Sequence, residues 1–146
     1  MRTTLLSLAA ALLLPVTACS VFGTNDELSH AAAWFECGPA DGPATAIVLA
    51  HDPVELHQPS YPLVEITILR EVSAIAGRTW NLKGDSAYAT YIASAGSGAA
   101  AMSGTVTITH VDSANTIQGN VIAQFGSRTV AQAFTAPWLQ NRVLCG

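Results

Sequence analysis

Two groups of residues hold whatever chemistry this chain can do. The first is His51, Asp52, Glu55 and His57, crowded into one short stretch. Imidazoles and carboxylates at that density suit a zinc or calcium site, or acid–base work, and loops often carry such function. Their spacing matches no recognised ligand motif. Residues 51–62 contain Pro53, Pro59 and Pro62, so a solvated, proline-stiffened loop is the expectation. The four residues stand as weak metal candidates, and no cofactor is expected. His30 and His110 stand alone and read as surface residues. The second group is the three cysteines, Cys19, Cys37 and Cys145. Neither Cys37 nor Cys145 lies in a C-x-x-C spacing or beside a histidine, which disfavours a metal thiolate or a reactive thiol. No G-x-S-x-G elbow supplies a nucleophile, and Gly96 and Gly98 lie in a low-complexity stretch that builds no phosphate loop. The paired acids Asp26 and Glu27 lie in a polar segment where nothing would keep water from a substrate. No catalytic residue is expected, and the chain reads as a non-enzyme.

Cys19 is set apart by what precedes it. Arg2 places a positive charge at the start, residues 5–14 form an apolar run with Ser7 as its one polar residue, and Val16, Thr17 and Ala18 are small. This order is that of a secretory signal peptide. The apolar run is too short for a bilayer-spanning helix, which takes about 20 residues. Val16-Thr17-Ala18-Cys19 resembles the bacterial lipobox, in which the cysteine is acylated and becomes the new N-terminus. The resemblance implies a signal peptide over 1–18, a lipidated cysteine and tether over 19–29, and a domain over 30–146. Ser20 stands where an aspartate would signal inner-membrane retention in that pathway, which points to the outer membrane, facing the periplasm. With Cys19 committed to lipid and the chain exported to an oxidising compartment, Cys37 and Cys145 are expected to pair.

The bulk composition narrows the partners. Six Lys and Arg face ten Asp and Glu, a net charge of −4, and Arg2 would leave with the signal. That balance argues against nucleic acid and against an electrostatic grip on anionic lipid. The membrane contact expected is the acyl group on Cys19. Only 11% of the residues are charged, and Thr, Ser, Asn and Gln supply much of the remaining polarity, which suits strands better than helices.

The elements that must position these groups read as strands. The alanine-rich stretch 30–35 allows a helical turn or the lead-in to a first strand, and 38–43 is a turn by composition. Residues 45–51 are β-rich. Residues 63–72 place Val64, Ile66 and Ile68 on one face and Glu65, Thr67 and Glu71 on the other. A short strand over 77–82 and another over 86–94 follow, the latter with Tyr88 available to pack. The small residues of 95–104 predict a mobile loop. Residues 105–111, 117–125 and 129–136 alternate, with turns at 112–115 and at Gly126-Ser127. No long 3.6-residue period competes. The fold expected is all-β, an antiparallel sandwich or small barrel.

The C-terminal third carries a further likeness. Gly104-Thr-Val-Thr-Ile-Thr-His-Val-Asp112, then Ile117-Gln-Gly119, then Ala133-Phe134-Thr135-Ala136-Pro137-Trp138 resembles a group of small bacterial lipoproteins of unassigned function. Their C-terminal halves read G-x-V-x-I-x-x-x-D, x-x-x-G-x-F and G-x-F-x-A-x-W. Val121 stands where a phenylalanine is common, and Ala133 where a glycine usually precedes the phenylalanine. The likeness implies a β-meander and carries no catalytic residue. A fainter one covers Trp80 to Tyr88, which is similar to the W-x-x-K-G-D-x-A segment of membrane-bound lysozyme-inhibitor lipoproteins. Ser73-Ala74-Ile75-Ala76-Gly77 lacks the S-G-x-x-Y spacing of that family's inhibitory loop.

Two functions are therefore expected in order. One is a membrane-anchored, extracytoplasmic domain with a binding or envelope-structural role. The alternative is an inhibitor of an envelope-attacking hydrolase, acting through residues 51–61 or 95–103. A binder should show a concave face with convergent aromatics, drawn from Tyr61, Trp80, Tyr88, Tyr91 and Trp138. An inhibitor should present an exposed, ordered loop, and an enzyme would need its polar groups to converge.

Overall fold

The structure, a computed structural model, describes residues 28–145 apart from 57 and 142. The expected signal segment, Cys19 and most of the tether lie outside the described residues, as does His57. Among those described there are nine strands: β1 (His30–Cys37), β2 (Pro43–Ala50), β3 (Leu63–Ile68), β4 (Arg78–Asn81), β5 (Ala87–Ser94), β6 (Ser97–Ala100), β7 (Ser103–Val111), β8 (Ile117–Phe125) and β9 (Arg128–Ala136). They form two antiparallel sheets, in the orders β1-β2-β3-β5-β6 and β4-β7-β8-β9. The sheets stack as a sandwich and do not close into a barrel.

The alternation of side chains decides what lies between the sheets. Ile47 and Leu49 of β2, and Val64, Ile66 and Ile68 of β3, turn inward and meet Val106, Ile108, Ile117 and Val121 from the other sheet. Each of these is fully buried. Ile75 and Leu82, from the connections on either side of β4, are buried in the same core. Thr45 is buried too, and its hydroxyl donates to the Arg70 carbonyl (2.9 Å), so its burial leaves no polar group unsatisfied.

β1 lies at a sheet edge that the chain itself covers. Ala33 N–H donates to the Pro137 carbonyl (2.9 Å), and Leu139 N–H donates to Ala33 (2.7 Å). Asn141 Nδ2 donates to the Phe35 carbonyl (2.5 Å), and a disulfide joins Cys37 to Cys145, with Cα atoms 5.5 Å apart. Backbone bonds and a covalent bridge thus occupy an edge that would otherwise offer free N–H and C=O groups.

Several local expectations change. Of the two readings of residues 30–35, the strand holds and the helical turn does not: they form most of β1, because pairing with β2 outweighs the helical preference of alanine. β3 stops at Ile68: Arg70 N–H bonds the Ile68 carbonyl (2.7 Å), and a 3-10 turn at Val72–Ala74 follows. The stretch read as a mobile loop is a hairpin. Gly96 turns at φ +76°, β6 pairs with β5, Ala101 is buried, and β7 already begins at Ser103. Side chains this small hide a period of two, and the backbone alone makes the pairing. Tyr88 faces outward and is exposed. Its neighbour Tyr91 turns inward instead, with its ring centroid 6.0 Å from that of Phe125 and the Arg128 guanidinium 4.6 Å above it. Leu28, assigned above to the tether, is 4% exposed and belongs to the core.

Candidate functional site

β2 reads Pro-Ala-Thr-Ala-Ile-Val-Leu-Ala, and every residue after its first is buried. A strand apolar on both faces needs cover on both. Its inward residues have the sandwich core. Its outward residues Ala44, Ala46, Val48 and Ala50 must find cover elsewhere. The register supplies it in rows across the outer face: Ala50 lies between His30 and Leu63, with Ile92 beyond, while Val48 lies between Ala32 and Glu65, with Thr90 beyond. Val48, Ala50 and Leu63 make a second, smaller apolar cluster, against which Trp34, Val54, Tyr61 and Ile92 pack.

The loop between β2 and β3 closes over one end of this face. Asp52 holds it at its base, accepting a hydrogen bond from Ser60 Oγ at 2.6 Å and lying 3.2 Å from His51 Nδ1. Ser29 Oγ donates to the His51 carbonyl (3.3 Å). Further out, Gln58 N–H donates to the Glu55 carbonyl (3.3 Å). Between loop and sheet is a half-open cavity of about 290 Å³. Trp34, Val48, Leu63 and Ile92 form its sheet side, and Val54 and Tyr61 its loop side. Glu55 and Glu65 are its carboxylates, and none of its described lining residues is basic.

The carboxyl groups on this face are held in unusual surroundings. Burial pushes the pKa of Glu65 above the ordinary glutamate value. Glu36, also facing outward from β1, is raised by burial first and then by the charge of Glu65. Its Oε2 is buried and has no hydrogen-bond partner among the described residues. Asp52 behaves oppositely: the hydrogen bond from Ser60, then that from His51, lowers its pKa below the ordinary aspartate value.

The loop cluster singled out in the sequence is only partly brought together. His51 and Asp52 touch, both well exposed, while Glu55 lines the cavity mouth. Asp52 sits between Ser60 and His51. In a nucleophilic triad the histidine stands between the hydroxyl and the acid, so this arrangement activates no serine. Among the described residues no three His, Cys, Asp or Glu side chains gather as a metal site. Of the five aromatics considered for stacking, Tyr61 lines the cavity. Trp80, Tyr91 and Trp138 pack on the main core.

Sequence reasoning did not single out Trp34, Glu36 or Glu65 as site residues. The available signal was the apolar run over residues 46–50 of β2, which demands a covered outer face. The segment 95–103, considered as an inhibitory loop, contains the turn after β5, all of β6 and the first residue of β7. No family model, curated protein or solved structure matches this chain.

Proposed function

We propose that this chain is a lipid-anchored, extracytoplasmic binding protein without enzymatic activity, and that it takes a small, largely apolar ligand in the cavity between the β2–β3 loop and the outer face of the five-stranded sheet. The anchor rests on the lipobox-like Val16-Thr17-Ala18-Cys19 behind an apolar segment. The binding role rests on one observation: an open hollow with apolar and aromatic walls and few polar groups, the usual make-up of a small-molecule site. Its volume is near the lower end of the range of about 300–1,000 Å³ common to such sites. The outer membrane, facing the periplasm, is the location that Ser20 after the cysteine favours.

Each half has its own test. In a bacterial host, Cys19 should incorporate a labelled fatty acid, and Cys19→Ser should abolish the label; label retained on the variant would remove the anchor. For binding, the full chain is titrated with neutral n-hexanol and followed by amide NMR. Shifts should concentrate at Val48, Ala50, Leu63 and Ile92, and Val54→Trp should suppress them. Shifts scattered over both sheets would count against the site.

A further inference from the structure

The outer-face cavity combines two features that apolar ligands do not need. Glu65 stands on its sheet side, desolvated enough to raise its pKa, with no hydrogen bond or cation among the described residues acting against that shift. A desolvated carboxylate without a partner is costly, and a cation brought to it recovers that cost. Aromatic rings of Trp34 and Tyr61 line the same hollow, and ring faces attract ammonium groups. Glu55 at the mouth adds a second negative charge. The protein's own described cations are placed elsewhere: Arg70 donates to the Leu69 carbonyl (2.7 Å), and neither Arg78, Lys83 nor Arg128 lines the cavity. Shape and charge therefore call for a ligand with an apolar body and a positive end.

We propose that the cavity selects small organic cations, an ammonium group on an alkyl or aryl body, with the body against Trp34, Tyr61, Leu63 and Ile92 and the cation at Glu65. This inference rests on the binding role above and names its ligand class. An anionic ligand of the same body would meet Glu65 and Glu55 as like charges. A neutral one would fill the apolar walls and leave Glu65 as it is.

The test compares three probes of one body on the full chain at pH 7 in detergent-free buffer: n-hexylammonium, n-hexanol and hexanoate. Binding is read from amide shifts at Val48, Ala50, Leu63 and Ile92. The expected result is that hexylammonium binds about tenfold more tightly than hexanol, equivalent to about 1.4 kcal/mol, with hexanoate weakest. Glu65→Gln should remove the preference for hexylammonium over hexanol. Hexanol or hexanoate binding as tightly as hexylammonium would overturn the ligand class while leaving the binding role standing. If none of the three shifts the cavity amides, both fall. The comparison of probes on the unaltered chain decides the matter even if Glu65→Gln folds poorly.

Discussion

The ring of Phe134 on β9 lies across Gly119 on β8, so closely that a β-carbon at 119 would come within 2.8 Å of Cζ and 2.5 Å of the Thr107 carbonyl oxygen. Glycine is what allows three strands to carry a large aromatic at this point of the core. Gly119→Ala should destabilise the domain by about 2–3 kcal/mol, near the top of the range for overpacked sites. Urea denaturation measures it, and a midpoint equal to that of the parent would show that the strands yield easily.

The covalent clasp spans 108 residues of chain. A closed loop of that size restricts the unfolded chain by up to about 4.7 kcal/mol in the loop-entropy model. Cys37→Ser with Cys145→Ser should lower the stability by an amount approaching that figure. It should also raise hydrogen exchange at Ala33 and Leu139, where the C-terminal segment bonds β1. Mass mapping without reduction should recover the two cysteines in one linked peptide pair; two free thiols would sink the idea.

The loop over the cavity depends on Asp52 being ionised. Its folded-state pKa is lowered, first by the Ser60 hydrogen bond and then by His51. A lowered carboxylate pKa stabilises the fold above the ordinary aspartate range, and that contribution disappears as pH falls through the folded value. Protection factors of the Val54, Glu55, Leu56, Gln58 and Ser60 amides, corrected for the intrinsic pH dependence of exchange, should therefore fall once Asp52 protonates in acid. Ser60→Ala should produce part of the same loosening at neutral pH. Exchange that is insensitive to both changes would mean that the loop is held by its packing.

Glu36 should have the opposite sign. Its folded-state pKa is raised, by burial and then by Glu65, so its ionisation disfavours the fold. The penalty is absent below the ordinary glutamate range and complete once pH has risen through the raised folded value. Glu36→Gln should accordingly raise the melting temperature at pH 7 and have little effect below pH 4.5, the unperturbed glutamate value. A lower melting temperature at pH 7 would show that the carboxylate has a partner that holds it charged.

Much of the fold was legible in the chain. The strands of the C-terminal meander, the Gly126-Ser127 turn and the inward set Ile117, Val121, Ala123 and Phe125 follow from alternation, because β8 is wet on one face and dry on the other. Legibility failed where alternation carries no contrast. β6 is Ser-Gly-Ala-Ala, and nothing in side chains of that size distinguishes inside from outside. Tyr88 and Tyr91 are both large and both β-compatible, and one faces out while the other faces in. The cluster at 51–57 drew attention because its residue types are reactive. The cavity beside it is built mostly from residues of ordinary core type, which no motif marks.

The sequence by itself determined that strands would form, where the C-terminal meander would turn, and that three cysteines offered Cys37 and Cys145 as one possible pair. These are local or compositional matters: a period of two, turn residues, and a count of thiols. Only the tertiary structure decided how the outer face of β2 would be covered, because Trp34, Glu65 and Ile92 come from three different strands and are set around β2's outer residues by the register of the sheet. A register shift of one residue would turn Glu65 into the core and Ile66 onto the surface. The cavity therefore exists because burying Ile47, Ile66 and Val64 on the inner face fixes the register, and that register sets Glu65 among the apolar side chains on the other side.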